Sequence, residues 1–572
     1  MCPEPARTAT PAQPRRAPCS PPRDEVCAKV FDFEAALRDR GLTQQEAAEA
    51  LGVPRTTLLG WSDRIARTGL TPTQRAFFES PDGVRFLHGL CLAALFVMNV
   101  CGGLGVAMVR VFFTYAGLAS LLACSETSLL RTRRAMLDAI GAWGDTQDAT
   151  LAQGMIPRDI LVAADENFHE AMMLVAIEPV SGYLLVEQEA AQRDGTTWAT
   201  VLRDALAKWP VRLVALVGDE AKGLIHCARA GLGVTKASDV FHVLYEIGRG
   251  TAGALAQRVR GAENDVETAR TALEAADQVR RTTTGGSLHD AYERLGLMLR
   301  AAEKVDEARQ AVTRVEAHQD AVHAAVRALS DRYHPVDLAT GAALSPRMVA
   351  ERLRAGFATI RTCLCTAGVA AQTRVGEALN KAERVLPSLV GWVQTWQRMT
   401  EARVATLGLT SAETQWVEAT LLPAIYLHQI APRGADAARR TQLREVRDRL
   451  VNQIVSEGSP WRQWSDATRA RVQAAVTGCA DLFVRASSCV EGRNGQLSLY
   501  HHRTHHLPPA LLKALTVVHN YVITRPDGTT AAERFTGQTH ANLFEHLVAT
   551  LPLPARPRIR KPKERPPLFA VA

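Results

Sequence analysis

No strand–GxxxxGKS/T–helix signature occurs in this 572-residue sequence, which excludes a phosphate-binding NTPase of that type. Zinc-site spacing is also missing. Of eleven cysteines only Cys363 and Cys365 stand close together, and no second pair complements them. No secretory signal opens the chain, so the irregular cysteines read as reduced cytosolic thiols rather than a disulfide framework. Charge of one sign does not dominate. The formal net charge of +8 is a modest surplus that suits a polyanionic partner without requiring one. At 47% hydrophobic and 22% charged, the composition is that of a globular protein, and the length calls for three or four domains.

Residues 89–109 lack charge altogether, over a length that could span a bilayer, and a second apolar run covers 111–124. Asn99 and several glycines interrupt the first run, and the second is too short to cross. The expectation is a buried helical core and no membrane association.

The chain reads as a multidomain, mainly α protein. Residues 1–24 form a Pro- and Arg-rich arm expected to be disordered. Residues 25–75 carry short helices, 76–150 an apolar helical domain, and 156–249 runs rich in Val, Leu and Ile. Helical pattern returns over 250–480 and 481–552. The end, 553–572, is a Pro-rich tail with Arg556, Arg558, Arg560, Lys561, Lys563 and Arg565. Such a tail either holds phosphates by charge or is simply solvated. Within 250–480, Leu255, Val259, Ala262, Val266, Ala269, Leu273 and Ala276 form a heptad. A break at 282–286 and a second apolar face, Leu295 to Leu329, predict an antiparallel helical hairpin.

In 42–66, LTQQEAAEALGVPRTTLLGWSDRIA, Thr43 and Glu46 form a capping box. Gly52 turns the chain and Pro54 opens a second helix, with Leu58 and Trp61 inward. This is similar to a helix-turn-helix, whose second helix enters the DNA major groove, with Arg55, Thr56 and Thr57 as the contacts.

Residues 160–164 form an apolar run ending in Asp165. Strand patterns follow at 172–177 and 183–187, then a helix at 196–208. A buried-type strand at 211–217 ends at Asp219, and a helix and a short fifth strand lead to Asp239. Hairpins make the first part antiparallel, and a crossover adds a parallel part. Carboxylates meeting at the ends of neighbouring strands repel unless a cation lies between them, and hard oxygen ligands suit magnesium or manganese.

The strings AADENFHE, VGDEAKGLIHCARAGLGVTKASDVFHV and SSCVEGRNGQLSLYHH, followed by TVVHNYVITRPDGTTAAERFTG, resemble the motif blocks of DDE-type bacterial insertion-sequence transposases. The resemblance covers roughly 156–245 and 481–550. It implies an RNase H-like core interrupted by the all-helical stretch 250–480, with Asp165, Asp219 and Glu491 holding two Mg2+ or Mn2+ ions. The gap between the two aspartates is ordinary for such a core. The gap from Asp219 to Glu491 is much longer, and the helical stretch fills it. The activity implied is metal-dependent DNA cleavage at transposon ends and strand transfer into target DNA. Double-stranded DNA would be the partner, a homodimer or larger assembly would act on it, and the place of action would be the bacterial cytoplasm at the nucleoid.

Glu166 and Glu220 adjoin the aspartates, but neighbours on a strand face opposite sides, so one of each pair points into the site. Lys222, Arg493, Asn494, His501 and His502 are expected to face DNA. His505 and His506 extend that run, and the four histidines could instead take up zinc. Asp239 and His242 would support the site. Arg485 is the nearest basic residue before Glu491, which leaves the transposase subgroup open. Two rivals remain: a domesticated RNase H-like nuclease or recombinase, and a non-catalytic helix-turn-helix regulator.

Overall fold

The computed structural model of the chain describes residues 21–168, 171–369, 374–504, 507–553 and 556–557. They are mostly helical, with one five-stranded mixed sheet. The chain divides into two compact units. One comprises Met1–Gln147, Pro508–Val518 and His540–Ala572, the other Asp148–Leu507 and His519–Thr539.

The first unit opens with α1 (Arg23–Arg38), α2 (Gln44–Leu51) and α3 (Arg55–Ala66). The Thr43 hydroxyl accepts from the Glu46 N–H at 3.3 Å, and the Glu46 carboxylate accepts from the Thr43 N–H at 2.8 Å. This reciprocal cap satisfies two donors that the first turn would otherwise leave open. Gly52 ends α2 at φ 63°, a left-handed turn that a side chain would strain. Val30, Phe33, Ala47, Leu58 and Trp61 close a small core beneath it.

Then come α4 (Pro72–Glu79), α5 (Pro81–Ala93), α6 (Val106–Tyr115) and α7 (Glu126–Gly154). The uncharged run is split. Helix α5 continues as a π-helical segment, Ala94–Cys101, and stops at Gly102. Among the described residues, Pro81–Cys101 is the helix long and apolar enough to cross a membrane, and 44% of its apolar window is buried. Leu87, Leu92 and Leu95 pack inward, and the Asn99 side chain accepts from Arg133 at 2.7 Å. The expected buried core holds for that face only, since Val97, Met108 and Tyr115 are exposed. Arg556, in the tail expected either to hold phosphates or to be solvated, pairs with half-buried Glu79, which Arg23 also engages. Residues 1–20 and the charges from 558 onward lie outside the described residues.

The second unit holds the sheet: β1 (Arg158–Phe168), β2 (Met172–Glu178), β3 (Tyr183–Glu189), β4 (Val211–Gly218) and β5 (Thr235–Ser238), in the order β3-β2-β1-β4-β5. β1–β2 and β2–β3 are antiparallel, whereas β1–β4 and β4–β5 are parallel. The crossover contains α8 (Gly195–Leu206), and α9 (Lys222–His226) follows β4. The first strand does not end at Asp165. It runs on to Phe168 because β2 pairs with the extra residues, Glu166 opposite Leu174 and Phe168 opposite Met172.

Helices α10 (Val240–Thr282) and α11 (Leu288–Ser330) are the anticipated hairpin, although α10 starts directly at the sheet. They are followed by α12 (Pro346–Thr366), α13 (Arg374–Ala405), α14 (Ser411–Trp416), α15 (Leu422–Ile430), α16 (Ala437–Val455), α17 (Pro460–Gln463) and α18 (Asp466–Asp481). Tyr333, Trp392, Trp396 and Tyr426 all surround Phe483, with ring centroids 5.3–6.4 Å away. Buried residues of this helical part and of the sheet, Leu161 and Val217 among them, form one continuous core. That shared core is why sheet and helices are not separate domains.

The chain closes with α19 (Ser488–Thr504), α20 (Pro509–Tyr521), α21 (Ala531–Thr536) and α22 (Leu543–Thr550). Asn520 bonds both the N–H and the C=O of Leu184 on the edge strand β3, at 2.9 and 3.1 Å. Arg493 on α19 makes a bidentate pair with Glu187 on β3 at 2.6 and 2.8 Å, and both side chains are almost fully buried. Removing one partner strands a buried charge. Arg493→Ala should therefore lower stability by about 3–5 kcal/mol in urea unfolding, and the double variant Arg493→Met/Glu187→Leu should recover most of it. An unchanged midpoint in the single variant would refute this role.

Candidate metal centre

The β1–β4 register pairs Ala163 with Val217, and the same register carried two residues on sets Asp165 beside Asp219. Asp219 lies just past β4, where its Oδ1 accepts the Ala221 N–H at 2.9 Å. Helix α19 packs on β1 and β2 and carries Glu491 in its first turn. One oxygen each of Asp165 and Glu491 and one ring nitrogen of His242 lie within 4.8 Å of one another. Asp219 stands outside that tight group, but its charge acts on both Asp165 and His242.

The neighbouring glutamates line the same cavity as Asp219, but each is bonded to a partner of its own. Glu166 accepts from the Trp198 indole at 2.9 Å, under α8. Glu220 accepts from Ser238 on β5 and lies 3.9 Å from Lys236. Lys236, which sequence reasoning passed over, is buried below the site and donates to the Gly218 carbonyl at 2.9 Å and the Ala237 carbonyl at 3.1 Å. It braces the turn that carries Asp219. A lysine inside a strand was its only signal in the sequence.

Asp239 is buried and caps α10 by accepting the Phe241 N–H at 2.6 Å. It also binds His242 Nδ1 at 2.9 Å and accepts from both the N–H and the hydroxyl of Ser487. Burial would raise this carboxyl, but the bonds from His242 and Ser487 outweigh it and hold the group below the usual carboxylate range. The same bond pushes the His242 imidazole up to about 9 against its burial. Ser487 was also missed, although it opens the string that contains Glu491.

The residues expected at DNA divide. Arg55 and Thr56 are exposed on α3 and Thr57 is half-buried. Lys222 is exposed at the rim of a cavity of about 590 Å³ that also touches Asp219, Asp239, His242 and Lys381. His502 is exposed and Asn494 half-buried. Arg493 and His501 are corrections: Arg493 is committed to Glu187, and His501 is 6% exposed on the inner side of α19. Helical spacing explains both, since Leu497 on the same inward stripe is also buried. His505 and His506, and with them the four-histidine zinc idea, lie outside the described residues.

The donor set fits a divalent cation. Burial first, and then the Glu491 charge, push the Asp165 carboxyl up to about 7, against the Glu166 N–H and the His242 charge, which pull it down. Oxygen donors with one imidazole suit Mg2+ or Mn2+.

A family model described as a family of unknown function, DUF6399, matches residues 417–563, which include Glu491 but neither aspartate. No curated protein and no solved structure matches the chain.

A carboxyl raised in the folded state stabilises the protein below its unfolded pKa of about 4, and that contribution is lost as pH rises through about 7. Metal-free Asp165→Asn should therefore melt above the unsubstituted protein at pH 8, by on the order of 5 °C, with the gap closing towards pH 4. Melting curves in EDTA across that range check this, and a gap independent of pH would contradict it.

Proposed function

We propose that the protein is a DDE-type transposase, a divalent-metal-dependent polynucleotidyl transferase that cuts DNA at transposon ends and joins it to target DNA. The observation that carries this reading is the close approach of Asp165 on β1 and Glu491 on α19, with Asp219 at the end of β4 near enough for its charge to act on Asp165, although the long helical stretch α10–α18 lies between Asp219 and Glu491 in sequence. Support also comes from the strand order β3-β2-β1-β4-β5, which suits an RNase H-like core with α10–α18 inserted after β5. The capped pair α2–α3, with Arg55 and Thr56 outward, suits a helix-turn-helix reader of double-stranded DNA.

Asp165, Asp219 and Glu491 would hold the two ions, Mg2+ or Mn2+. Bound there, the ions supply Lewis-acid charge for in-line displacement at a phosphodiester. The chain's own groups do the positioning. Asp165 and Glu491 present oxygens from rigid elements, and the buried Lys236 fixes the turn behind Asp219. Lys222, exposed beside Asp219, offers a cation to a DNA phosphate. The leaving group of cleavage is a 3′-OH, which then serves as nucleophile on the target strand. Work on two ends calls for a dimer or larger assembly on DNA, and bacterial DNA as substrate sets the cytoplasm as the place of action.

The test uses labelled duplexes bearing the inverted repeats that flank the gene. Cleavage and joining should require Mg2+ or Mn2+, and Asp165→Asn should reduce both by at least about a thousandfold with DNA binding unchanged. Cleavage that survives in that variant removes the triad. Binding without cleavage by the unsubstituted protein would favour a regulator, and absent inverted repeats a domesticated nuclease. Arg55→Ala should weaken duplex binding about tenfold or more in a fluorescence-anisotropy titration, a loss the reader assignment cannot do without.

A further inference from the structure

We infer that His242 is itself a metal ligand, so that one ion of the proposed pair is held by Asp165, Glu491 and the His242 Nε2 atom, an oxygen–oxygen–nitrogen set that favours Mn2+ over Mg2+. The inference rests on the transposase reading for the carboxylates and adds a donor of a different chemical kind.

Three observations carry it. The Nδ1 atom of His242 is 2.9 Å from the buried Asp239 carboxylate, which can only accept, so Nδ1 keeps its proton and the proton a bound cation would displace is the one on Nε2. Nε2 is directed at the site, 3.6 Å from the Glu491 Oε1 atom. One ring nitrogen of His242, a Glu491 oxygen and an Asp165 oxygen lie within 4.8 Å of one another. Ligands about 2.1 Å from an octahedral ion are about 3 Å apart when adjacent and about 4 Å apart when opposite. The Nε2–Oε1 separation falls between these values.

The backing of the imidazole is equally specific. Asp239 accepts from Ser487 N–H and hydroxyl as well as from His242, so the carboxylate cannot turn away. A histidine ligand with its other nitrogen on an anchored carboxylate has its tautomer and ring plane set in advance. Asp239 is thus a positioning residue that acts through His242. Magnesium prefers an all-oxygen shell, whereas manganese binds nitrogen more readily.

The experiment is MnCl2 titration of the purified full-length chain, followed by pulsed EPR of the bound ion. Directly coupled ¹⁴N should be present, should change to the ¹⁵N pattern when the protein is made with ¹⁵N-histidine, and should vanish in His242→Gln. Calorimetry should show Mn2+ affinity falling about 10–100-fold in His242→Gln and in Asp239→Asn, with Mg2+ affinity changing several-fold less. The labelled unsubstituted protein decides the matter even if a variant fails to fold. Mn2+ that binds in an Asp165-dependent way without coupled nitrogen overturns the histidine ligand and leaves the transposase reading standing. Mn2+ binding that ignores Asp165→Asn overturns both.

Discussion

The buried carboxylate of Asp239 is the constraint on which the centre depends. It caps α10, takes the His242 imidazole, and accepts two hydrogen bonds from Ser487, a residue 248 positions further along the chain. The Val240 N–H completes the junction by donating to the Arg485 carbonyl at 3.1 Å. Together these bonds stitch the two ends of the helical insertion to each other. They add to the packing of α19 on β1 and β2 in fixing the helix that bears Glu491 against the sheet. Each bond is short-range, and each is made inside the protein, where an unmade one would be costly.

The helical stretch α10–α18 is therefore part of the scaffold rather than an appendage. Its aromatic residues gather on Phe483, and the Trp392 and Trp396 indoles donate to the Val484 and Cys479 carbonyls at 3.2 and 2.8 Å. These bonds hold the segment that leads into α19. On its other flank α19 is tied to β3 by the Arg493–Glu187 pair. The glutamate is thus set between a hydrophobic anchor before it and an ionic one after it.

Much of this was legible in the sequence because its signals are local. The strands, the capped α2, the Gly52 turn and the helical hairpin all rest on periodicity and turn chemistry that neighbouring residues decide. The spacing that sets the two aspartates side by side is likewise a property of one β–α–β crossover. What could not be read depends on distant partners. Arg493 and His501 look like surface residues until Glu187 and the sheet supply an interior for them. Lys236 and Ser487 carry no motif, and their roles exist only once β5, β4 and α19 meet. The apolar run was read correctly as helical, but which of its faces is covered is a tertiary outcome. That the core of the helical stretch runs on into the sheet is likewise a tertiary outcome that its periodicity does not show.

Helix α10 begins with His242 in its first turn and continues unbroken for 43 residues to the tip of the hairpin, about 65 Å of α-helix. It contains no proline, and α11 returns along it. A paired rod of this kind has no proline kink between its ends. Swinging its tip by a few degrees would tilt the turn that aims the imidazole, whereas tilting that turn would sweep the tip through many ångströms. The far end of the hairpin and the nitrogen beside Glu491 are thus the two ends of one continuous helix.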